Sequence, residues 1–187
     1  MHSPKIWHLF KIYKICRHIA RMINLPIMQT IKIASMVILK HGSKYLLLKR
    51  ARDPNIGKYL PVGGKLDPNE TPMACAIRET KEETGISIEN PKFCGTLIET
   101  SPVNYNWMCY IYIAKIDDMT PPDCNEGKLE WIDESQLATV PTPPTDWHIY
   151  QYVKAGRHFA FSASYDANLK MIEMVDEMEG IKLNLYK

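Results

Sequence analysis

The stretch that decides the fold is GGKLDPNETPMACAIRETKEETGI, residues 63–86. It combines a glycine pair, the start of a helix and a helix stop. Thr71 is a suitable N-cap, and Pro72 fits the first helical position, where a missing N–H has no cost. Gly85 suits the left-handed residue that follows a helix. The pattern therefore predicts a helix that begins after Thr71 and ends before Gly85.

The predicted helix has one side suited to burial and another side that is acidic. With 3.6 residues per turn, four residues gather on the first side: Met73, Ile77, Thr80 and Thr84. Three carboxylates gather on the other side: Glu79, Glu82 and Glu83. Like charges at this spacing repel each other, and a hard cation such as Mg²⁺ or Mn²⁺ would reverse that effect. A solvated acidic face is the alternative that three glutamates alone would favour.

The stretch also has a fixed spacing of glycine and charged residues. Written as a pattern it is G-x5-E-x7-R-E-x2-E-E-x-G-I, beginning at Gly64 and ending at Ile86. This resembles the Nudix box of the Nudix hydrolases at every fixed position, although Thr80 stands where that family prefers an aliphatic residue. The resemblance covers roughly residues 29–180. It implies an α/β fold, the Nudix α/β/α sandwich with a mixed β-sheet, and an enzyme that hydrolyses phosphate anhydrides.

The same resemblance implies a metal site. In the family, the matching glutamates and the carbonyl group of the first glycine bind the cation. The implied ligands of Mg²⁺ (or Mn²⁺) on the motif are Gly63, Glu79, Glu82 and Glu83. Arg78 is expected to pair with Glu70 and brace the loop against the helix, so that its loss would harm both stability and catalysis.

A second resemblance narrows the expected substrate. Lys65 completes the Gly-Gly-Lys form seen in the 8-oxo-dGTP diphosphatases. Glu126, five residues before Trp131, matches a metal-ligand or base glutamate of that group. Asp146, fifteen residues after Trp131, matches an aspartate that reads the nucleobase. The implied reaction is hydrolysis of an oxidised purine nucleoside triphosphate, such as 8-oxo-dGTP, to a monophosphate and pyrophosphate.

The part of the chain that would bind the base departs from that group at two positions. Leu60 stands where the group has a base-contacting asparagine, and Thr145 replaces the second of two paired aspartates. Base recognition is therefore expected to differ or to be looser. Taken alone, Asp146 is favoured as a helix cap, and its register with Glu126 and Trp131 favours a substrate role. Trp107 and Tyr105 are interpreted as ordinary strand residues in preference to base-stacking ones.

Two other functions remain alternatives. Pro102, sixteen residues after Ile86, resembles a proline marker of the ADP-ribose pyrophosphatases, which keeps an ADP-ribose or nucleotide-sugar pyrophosphatase open. A module that senses a nucleotide without cleaving it belongs to a different class. The intact set of glutamates argues against such a sensor, because a sensor has no need of a metal cluster.

Charge separates the chain into two predicted parts. Residues 1–28 form a basic N-terminal extension and residues 29–187 the Nudix domain. Residues 1–30 hold five Lys and Arg residues and no acid, so removing their +5 from the net charge of +2 leaves −3 for the remainder. A mildly acidic domain disfavours a broad nucleic-acid surface. The predicted partner is a small nucleotide, and the chain is expected to be a monomer or a homodimer.

The N-terminal extension itself alternates apolar and basic residues with a helical period from Ile6 to Ile23. An amphipathic helix at a membrane surface or on a partner remains open, and a mobile extension is the favoured interpretation. No apolar run is long enough to span a membrane. The five cysteines include no C-x-x-C pair, which predicts reduced thiols and a cytoplasmic location. Cys75 is the one thiol expected beside the carboxylates.

Elsewhere, hydrophobic periodicity and turn residues predict the remaining elements. Predicted strands occupy residues 31–40, 45–50, 93–100, 107–116, 130–132 and 159–165, with a polar loop over 117–127. A capped turn is expected at 133–137 and a helix at 145–156. The final segment, 169–178, is predicted either as the second strand of a hairpin or as a helix.

Overall fold

The computed structural model describes residues 30–184, and one large sheet runs through them. Two α-helices occur within these residues: α1, Pro72–Thr84, and α2, Pro144–Lys154. The strands, in chain order, are β1 Lys32–His41, β2 Lys44–Arg50, β3 Tyr59–Leu60, β4 Val62–Lys65, β5 Lys92–Thr100, β6 Trp107–Lys115, β7 Asp123–Cys124, β8 Gly127–Asp133, β9 Phe159–Tyr165, β10 Met171–Asp176 and β11 Ile181–Lys182.

The sheet is mixed, as expected. Its order is β11-β10-β9-β5-β6-β1-β2-β8-β7, with β3 paired to β2 and β4 paired to β1. The pairs β1–β6 and β5–β9 are parallel, and the other pairs are antiparallel. The strands β4 and β6 therefore lie on opposite sides of β1, with Gly64 and Gly63 level with Tyr110 and Ile111 of β6.

Hydrophobic cores lie on both faces of the sheet, because successive side chains of a strand point to opposite faces. Val37 and Leu39 of β1 belong to a core that includes Ala76 of α1. Ile38 of the same strand belongs to a second core, which includes Ile149 of α2. Each fully buried aliphatic side chain of this kind contributes about 1.5–3 kcal/mol. The predicted α/β/α sandwich is confirmed.

The local signals at the ends of α1 are also confirmed. Thr71 Oγ1 accepts a hydrogen bond from the N–H of Ala74 at 3.3 Å, which is an N-cap bond. Pro72 occupies the first turn, and Gly85 adopts a left-handed φ of 71° after the last turn. The N–H of Gly85 donates to the carbonyl group of Lys81 at 2.9 Å, so the helix ends where the sequence predicted.

The buried side of α1 was predicted only in part. Met73 is 41% exposed, whereas Cys75 and Ala76 are fully buried. The reason lies in the sheet, since Ser35 Oγ donates to the carbonyl group of Pro72 at 2.7 Å and holds the first turn on β1. Small side chains permit that close approach, and the long Met73 side chain is left at the edge. Buried Thr80, the residue atypical of the motif, satisfies its hydroxyl by donating to the carbonyl group of Ala76.

Most of the other predicted elements form with small changes at their ends. A 3₁₀ turn, Glu134–Gln136, is capped by Asp133 through a reciprocal capping box. The final segment is a strand, β10, and the helical alternative for it is wrong. Asp166 turns the hairpin, because its Oδ1 accepts from the N–H groups of Asn168 and Lys170. The predicted loop over 117–127 contains the short strand β7.

The predictions for the N-terminal extension, residues 1–28, lie outside the described residues. Within residues 30–184, no helix has the length and apolar character needed to cross a membrane. The four cysteines in this part, Cys75, Cys94, Cys109 and Cys124, are free thiols, and three of them are buried.

Candidate active site

Only glycine fits at residues 63 and 64 of β4, because two neighbouring groups lie very close to their backbone. Gly63 has a φ of +150°, and a Cβ there would lie 2.1 Å from the carbonyl oxygen of Ser35 on β1. A Cβ on Gly64 would lie 2.3–2.5 Å from the carboxyl group of Glu79. Only residues without a side chain allow the strand to pair with β1 and the Glu79 carboxylate to lie directly over it. The glycine pair thus forms the floor under the acidic side of α1.

Arg78 of α1 connects the helix to the end of β4 and to the loop that follows it. Its Nε and Nη2 atoms donate to the two carboxylate oxygens of Glu70, each at 2.8 Å. This bidentate pair holds the pKa of Glu70 at about 2, well below its usual value, mainly through the Arg78 hydrogen bonds. Nη2 also donates to the carbonyl group of Lys65 at 3.0 Å. The expected ion pair between the loop and the helix is therefore present in the structure.

Three glutamates of α1 and one that precedes β8 form a group that we call the glycine-pair cluster: Glu79, Glu82, Glu83 and Glu126. Glu83 Oε2 accepts from the N–H of Gly63 at 2.9 Å. Burial is the main cause that raises the pKa of Glu83 to about 7; the charges of Glu126 and Glu79 act in the same direction, and the hydrogen bond from Gly63 acts against them. Glu126 and Glu79 are thus close enough to Glu83 to oppose its ionisation.

The described residues test whether this cluster suits a cation. Its donors are oxygen atoms only, which is the chemistry that Mg²⁺ and Mn²⁺ prefer, and its mutual repulsion would be relieved by positive charge. Within residues 30–184, however, no three His, Cys, Asp or Glu side chains converge as ligands of one ion. Arg78 accounts for part of this, because its Nη1 lies 2.7 Å from Glu79 Oε1 and 3.2 Å from Glu82 Oε2. The donor set fits a hard cation, and the ligand roles remain predictions.

Glu126 reaches the cluster from the loop before β8. Its Oε2 lies 2.8 Å from Nη1 of Arg50, the last residue of β2. The backbone supports the same junction, since the N–H of Ala51 donates to the carbonyl group of Glu126 at 2.9 Å. The sequence reasoning missed Arg50. A basic residue at the end of a strand, before a loop that leads to the glycine pair, was the available signal.

Asp146 lies on the other face of the sheet, on α2. The N-cap of α2 is Pro143, which makes no side-chain cap bond, so the interpretation of Asp146 as a helix cap is wrong. Asp146 is 3% exposed, and Thr145 Oγ1 donates to its Oδ1 at 3.4 Å. Its Oδ2 is buried with no hydrogen-bond partner among the described residues. Burial, together with the charge of Glu99, raises the pKa of Asp146 to about 8.

Two other residues are expected to contact the substrate, Leu60 and Lys65. Leu60, on β3, is half-buried and pairs with Leu48 of β2. Lys65 is exposed at the end of β4, and its Nζ lies 5.8 Å from the ring centroid of Trp107. The half-buried Trp107 is thus a strand residue, as predicted. Its ring lies 6.3 Å from that of Tyr105, which precedes β6 and is not in a strand.

A family model and several relatives match this chain. The model described as "NUDIX domain" matches residues 30–153. The protein named "Uncharacterized Nudix hydrolase YvcI" of Bacillus subtilis is 30% identical over 125 residues, covering 64% of this chain and 77% of the relative. "NAD-capped RNA hydrolase NudC" of Chromobacterium violaceum is 32% identical over 117 residues, 59% of this chain and 41% of the relative. "Putative 8-oxo-dGTP diphosphatase 3" of Mycobacterium tuberculosis is 29% identical over 87 residues, 44% of this chain and 40% of the relative. The chain thus spans about two fifths of the length of the latter two.

The solved structures agree on the fold. The "mMutator MutT protein" of Bacillus halodurans has a TM-score of 0.70 at 23% identity, over 79% of this chain and 99% of that protein. Residues 30–153 of the family match contain the glycine pair, α1, Glu126 and Asp146.

Proposed function

The chain belongs to the NUDIX family of hydrolases, which act on nucleotide substrates and generally use divalent cations, and from this premise we propose that it hydrolyses nucleoside triphosphates to monophosphates and pyrophosphate. An oxidised purine such as 8-oxo-dGTP is the favoured substrate. The observation that carries the proposal is the glycine-pair cluster, in which the Glu79 carboxyl group lies over Gly64 and Glu83 accepts from the N–H of Gly63. Asp146, a buried carboxyl group whose Oδ2 has no partner among residues 30–184, supports the choice of base.

The glycine-pair cluster supplies the phosphate side of the reaction. The residues that would hold Mg²⁺ are the carbonyl group of Gly63 and the four glutamates of the cluster. When bound, a divalent cation neutralises charge on phosphate oxygens and activates a water molecule. Arg78 holds the carboxylates of Glu79 and Glu82 at fixed places, and the N–H of Gly63 does the same for Glu83. These contacts orient the acidic groups before any substrate arrives.

Lys65 and Asp146 supply the substrate side. The ammonium group of Lys65, exposed beside Trp107, can meet a phosphate group that leads from the cluster towards the base. Asp146 can accept a hydrogen bond from a purine ring N–H, and oxidation at C8 adds such a donor at N7. The likeness to the M. tuberculosis 8-oxo-dGTP diphosphatase over 44% of this chain supports the same substrate class.

A second candidate reaction is cleavage of a pyrophosphate bond inside a larger molecule. The likeness to the NAD-capped RNA hydrolase over 59% of the chain favours it. The same cluster of glutamates would serve both reactions, because both break a phosphate anhydride bond. An ADP-ribose or nucleotide-sugar pyrophosphatase belongs to this second candidate.

The test is a hydrolysis screen of the purified chain. The substrates are 8-oxo-dGTP, dGTP, ADP-ribose, a nucleotide sugar and NAD-capped RNA, each with Mg²⁺, with Mn²⁺ and with EDTA. We expect the highest kcat/KM for 8-oxo-dGTP and no turnover in EDTA. A preference for ADP-ribose or capped RNA would replace the first candidate with the second. Binding of a nucleotide with no turnover of any substrate would overturn both and identify a sensing module.

A further inference from the structure

A second buried carboxyl group, that of Glu99, lies near Asp146. Glu99 is on β5, and it pairs with Trp107 of β6, which pairs in turn with Lys32 of β1. On its other side Glu99 pairs with Ala163 of β9, a member of the core that includes residues of α2. Paired residues of neighbouring strands point to the same face, so Glu99 points to the face on which Asp146 lies. Glu99 is 8% exposed.

Two tyrosine hydroxyl groups hold this carboxyl group. Tyr165 Oη donates to Oε1 of Glu99 at 2.5 Å, and Tyr105 Oη donates to Oε2 at 3.4 Å. A carboxylate has about four lone-pair positions, so each oxygen of Glu99 can accept one more donor. The two remaining positions are on the two oxygens of one planar group. Such a group can accept a pair of adjacent N–H donors from a ligand.

Glu99 and Asp146 act on the same small volume. The charge of Glu99 contributes to the raised pKa of Asp146, and both charges contribute to the raised pKa of Tyr105. In the described part of the chain, two buried oxygen atoms have no hydrogen-bond partner: Oδ2 of Asp146 and the hydroxyl oxygen of Tyr150. The charge of Asp146 also raises the pKa of Tyr150. Buried polar groups are rarely left unpaired, because each costs about 1–3 kcal/mol. The region is therefore suited to receive hydrogen bonds from a ligand.

Aromatic rings border the same region, and we call the set the tyrosine pocket: Glu99, Tyr105, Trp107, Asp146 and Tyr165. The rings of Tyr105 and Trp107 lie 6.3 Å apart, and those of Tyr105 and Tyr165 lie 5.8 Å apart. All three rings are half-buried, and Lys65 Nζ lies 5.8 Å from the ring centroid of Trp107. Flat rings with acidic groups between them suit a flat heterocycle that carries N–H donors.

We propose that Glu99 is a specificity-determining residue, which accepts the N1–H and 2-amino groups of a guanine-type base while Asp146 accepts the N7–H group that oxidation adds. The division follows from the free positions on each carboxyl group. Asp146 has one oxygen occupied by Thr145 and one free, which matches a single donor. Glu99 has one free position on each oxygen, which matches two adjacent donors. The inference rests on the proposed function, because it names the base that the same site selects.

The test measures base binding without hydrolysis. The full chain is titrated calorimetrically in EDTA with three monophosphates: 8-oxo-dGMP, dGMP and dIMP. The first pair differs at C8 and N7, and the second pair differs by the 2-amino group alone. We expect the wild-type chain to bind 8-oxo-dGMP most tightly and dIMP most weakly, with about tenfold or more between neighbours.

Each variant should remove one of the two differences in affinity, 8-oxo-dGMP over dGMP or dGMP over dIMP, and leave the other. Glu99→Gln should abolish the preference for dGMP over dIMP and keep the preference for 8-oxo-dGMP over dGMP. Asp146→Asn should do the reverse. Tyr165→Phe, which keeps the Glu99 carboxyl group but removes one of its supports, should reduce the first preference by a smaller factor. Glu130→Gln is the matched control, because Glu130 accepts a tyrosine hydroxyl from Tyr59 at 2.7 Å outside the pocket, and it should change neither step.

The outcomes separate this inference from the proposed function. If Glu99→Gln weakens all three ligands equally or none of them, or if the wild-type chain binds no purine monophosphate, the assignment of Glu99 is overturned. If Glu99→Gln only lowers the melting temperature, Glu99 is a structural brace and the assignment is likewise overturned. If Glu99→Gln loses only the preference for dGMP over dIMP, the assignment is supported. This holds even if the wild-type chain fails to hydrolyse the triphosphates.

Discussion

The glycine-pair cluster and the tyrosine pocket both contain acidic groups, but the structure holds those groups in different ways. Three of the four glutamates of the cluster are on α1, all four are half-buried or exposed, and Arg78 and the N–H of Gly63 position those of α1. In the pocket, Glu99 and Asp146 are buried, neutral hydroxyl groups position them, and one oxygen has no partner among residues 30–184. The first arrangement is suited to cations and phosphate groups, and the second is suited to neutral N–H donors.

The largest effect expected from the difference between the two regions is at Glu83. Glu83→Gln removes a charge from the glycine-pair cluster with almost no change in volume, so we expect kcat to fall by about a thousandfold while the fold survives. Steady-state kinetics over a range of Mg²⁺ concentrations, with a melting curve, measure this. Glu89→Gln, an exposed change just after α1, is the control. Activity that survives in Glu83→Gln with an unchanged Mg²⁺ dependence would show that the cluster does not bind the catalytic metal.

The two regions also differ in how far the sequence could predict them. The cluster depends on local signals, namely the cap at Thr71, the glycines over which Glu79 lies, and the spacing of Glu70 and Arg78 on a loop and a helix. All of these fall within one short stretch, so their contacts follow from helix geometry. The interpretation of Met73 as buried failed because a contact from β1, remote in sequence, sets the orientation of the helix.

The tyrosine pocket depends on contacts that the sequence could not predict. Glu99 meets Tyr165 across sixty-six residues, and its position depends on the register of β5 with β6 and β9. A lone glutamate at the end of a strand reads as a solvated edge residue. Asp146 was found through its spacing from Trp131, but its burial and its free oxygen follow only from how α2 packs on the sheet.

The second prediction tests the pocket through catalysis. Asp146→Ala removes a hydrogen-bond acceptor for the base, and the lost hydrogen bond costs about 1.5–3 kcal/mol of binding free energy. We therefore expect KM for the preferred purine triphosphate to rise by about tenfold to a hundredfold. We expect a smaller change in kcat, because the glycine-pair cluster is intact. Kinetics on 8-oxo-dGTP and dGTP measure the effect, with the exposed Asp118→Ala as control. An unchanged KM with an earlier melting transition would limit Asp146 to a packing role.

The third prediction uses the ionisation of Asp146. Its pKa is about 8 in the folded chain, above the unfolded value near 3.9, so the folded state binds the extra proton between these limits. This contribution to stability is fully present below about pH 3.9 and is lost as the pH rises towards 8, by at most about 1.4 kcal/mol per pH unit. Asp146→Asn cannot ionise. We therefore expect the free energy of unfolding of the variant, minus that of the wild type, to increase as the pH rises from 5 to 8.

Urea unfolding of both chains at each pH measures this difference. Ionisable groups that do not interact with Asp146 titrate alike in the two chains, so they cancel when one free energy is subtracted from the other. The difference therefore reports Asp146 together with Glu99, whose charge is coupled to it. A difference that stays constant with pH would show that Asp146 is ionised in the folded chain at neutral pH. The pocket would then hold a fixed negative charge, and the contrast with the glycine-pair cluster would disappear.

The smallest expected effect concerns the basic extension. Both regions are built from residues that begin at β1, Lys32–His41, and the family match begins at residue 30. Deletion of residues 1–27 should therefore leave kcat/KM and the melting temperature almost unchanged, because it keeps every strand described within residues 30–184 and every glutamate of the cluster. Kinetics and melting curves of the shortened and full chains compare them directly. A melting temperature lower by several degrees would show that the segment Ile6–Ile23 packs on the domain, and a loss of activity at an unchanged melting temperature would show that it contributes to one of the two regions instead.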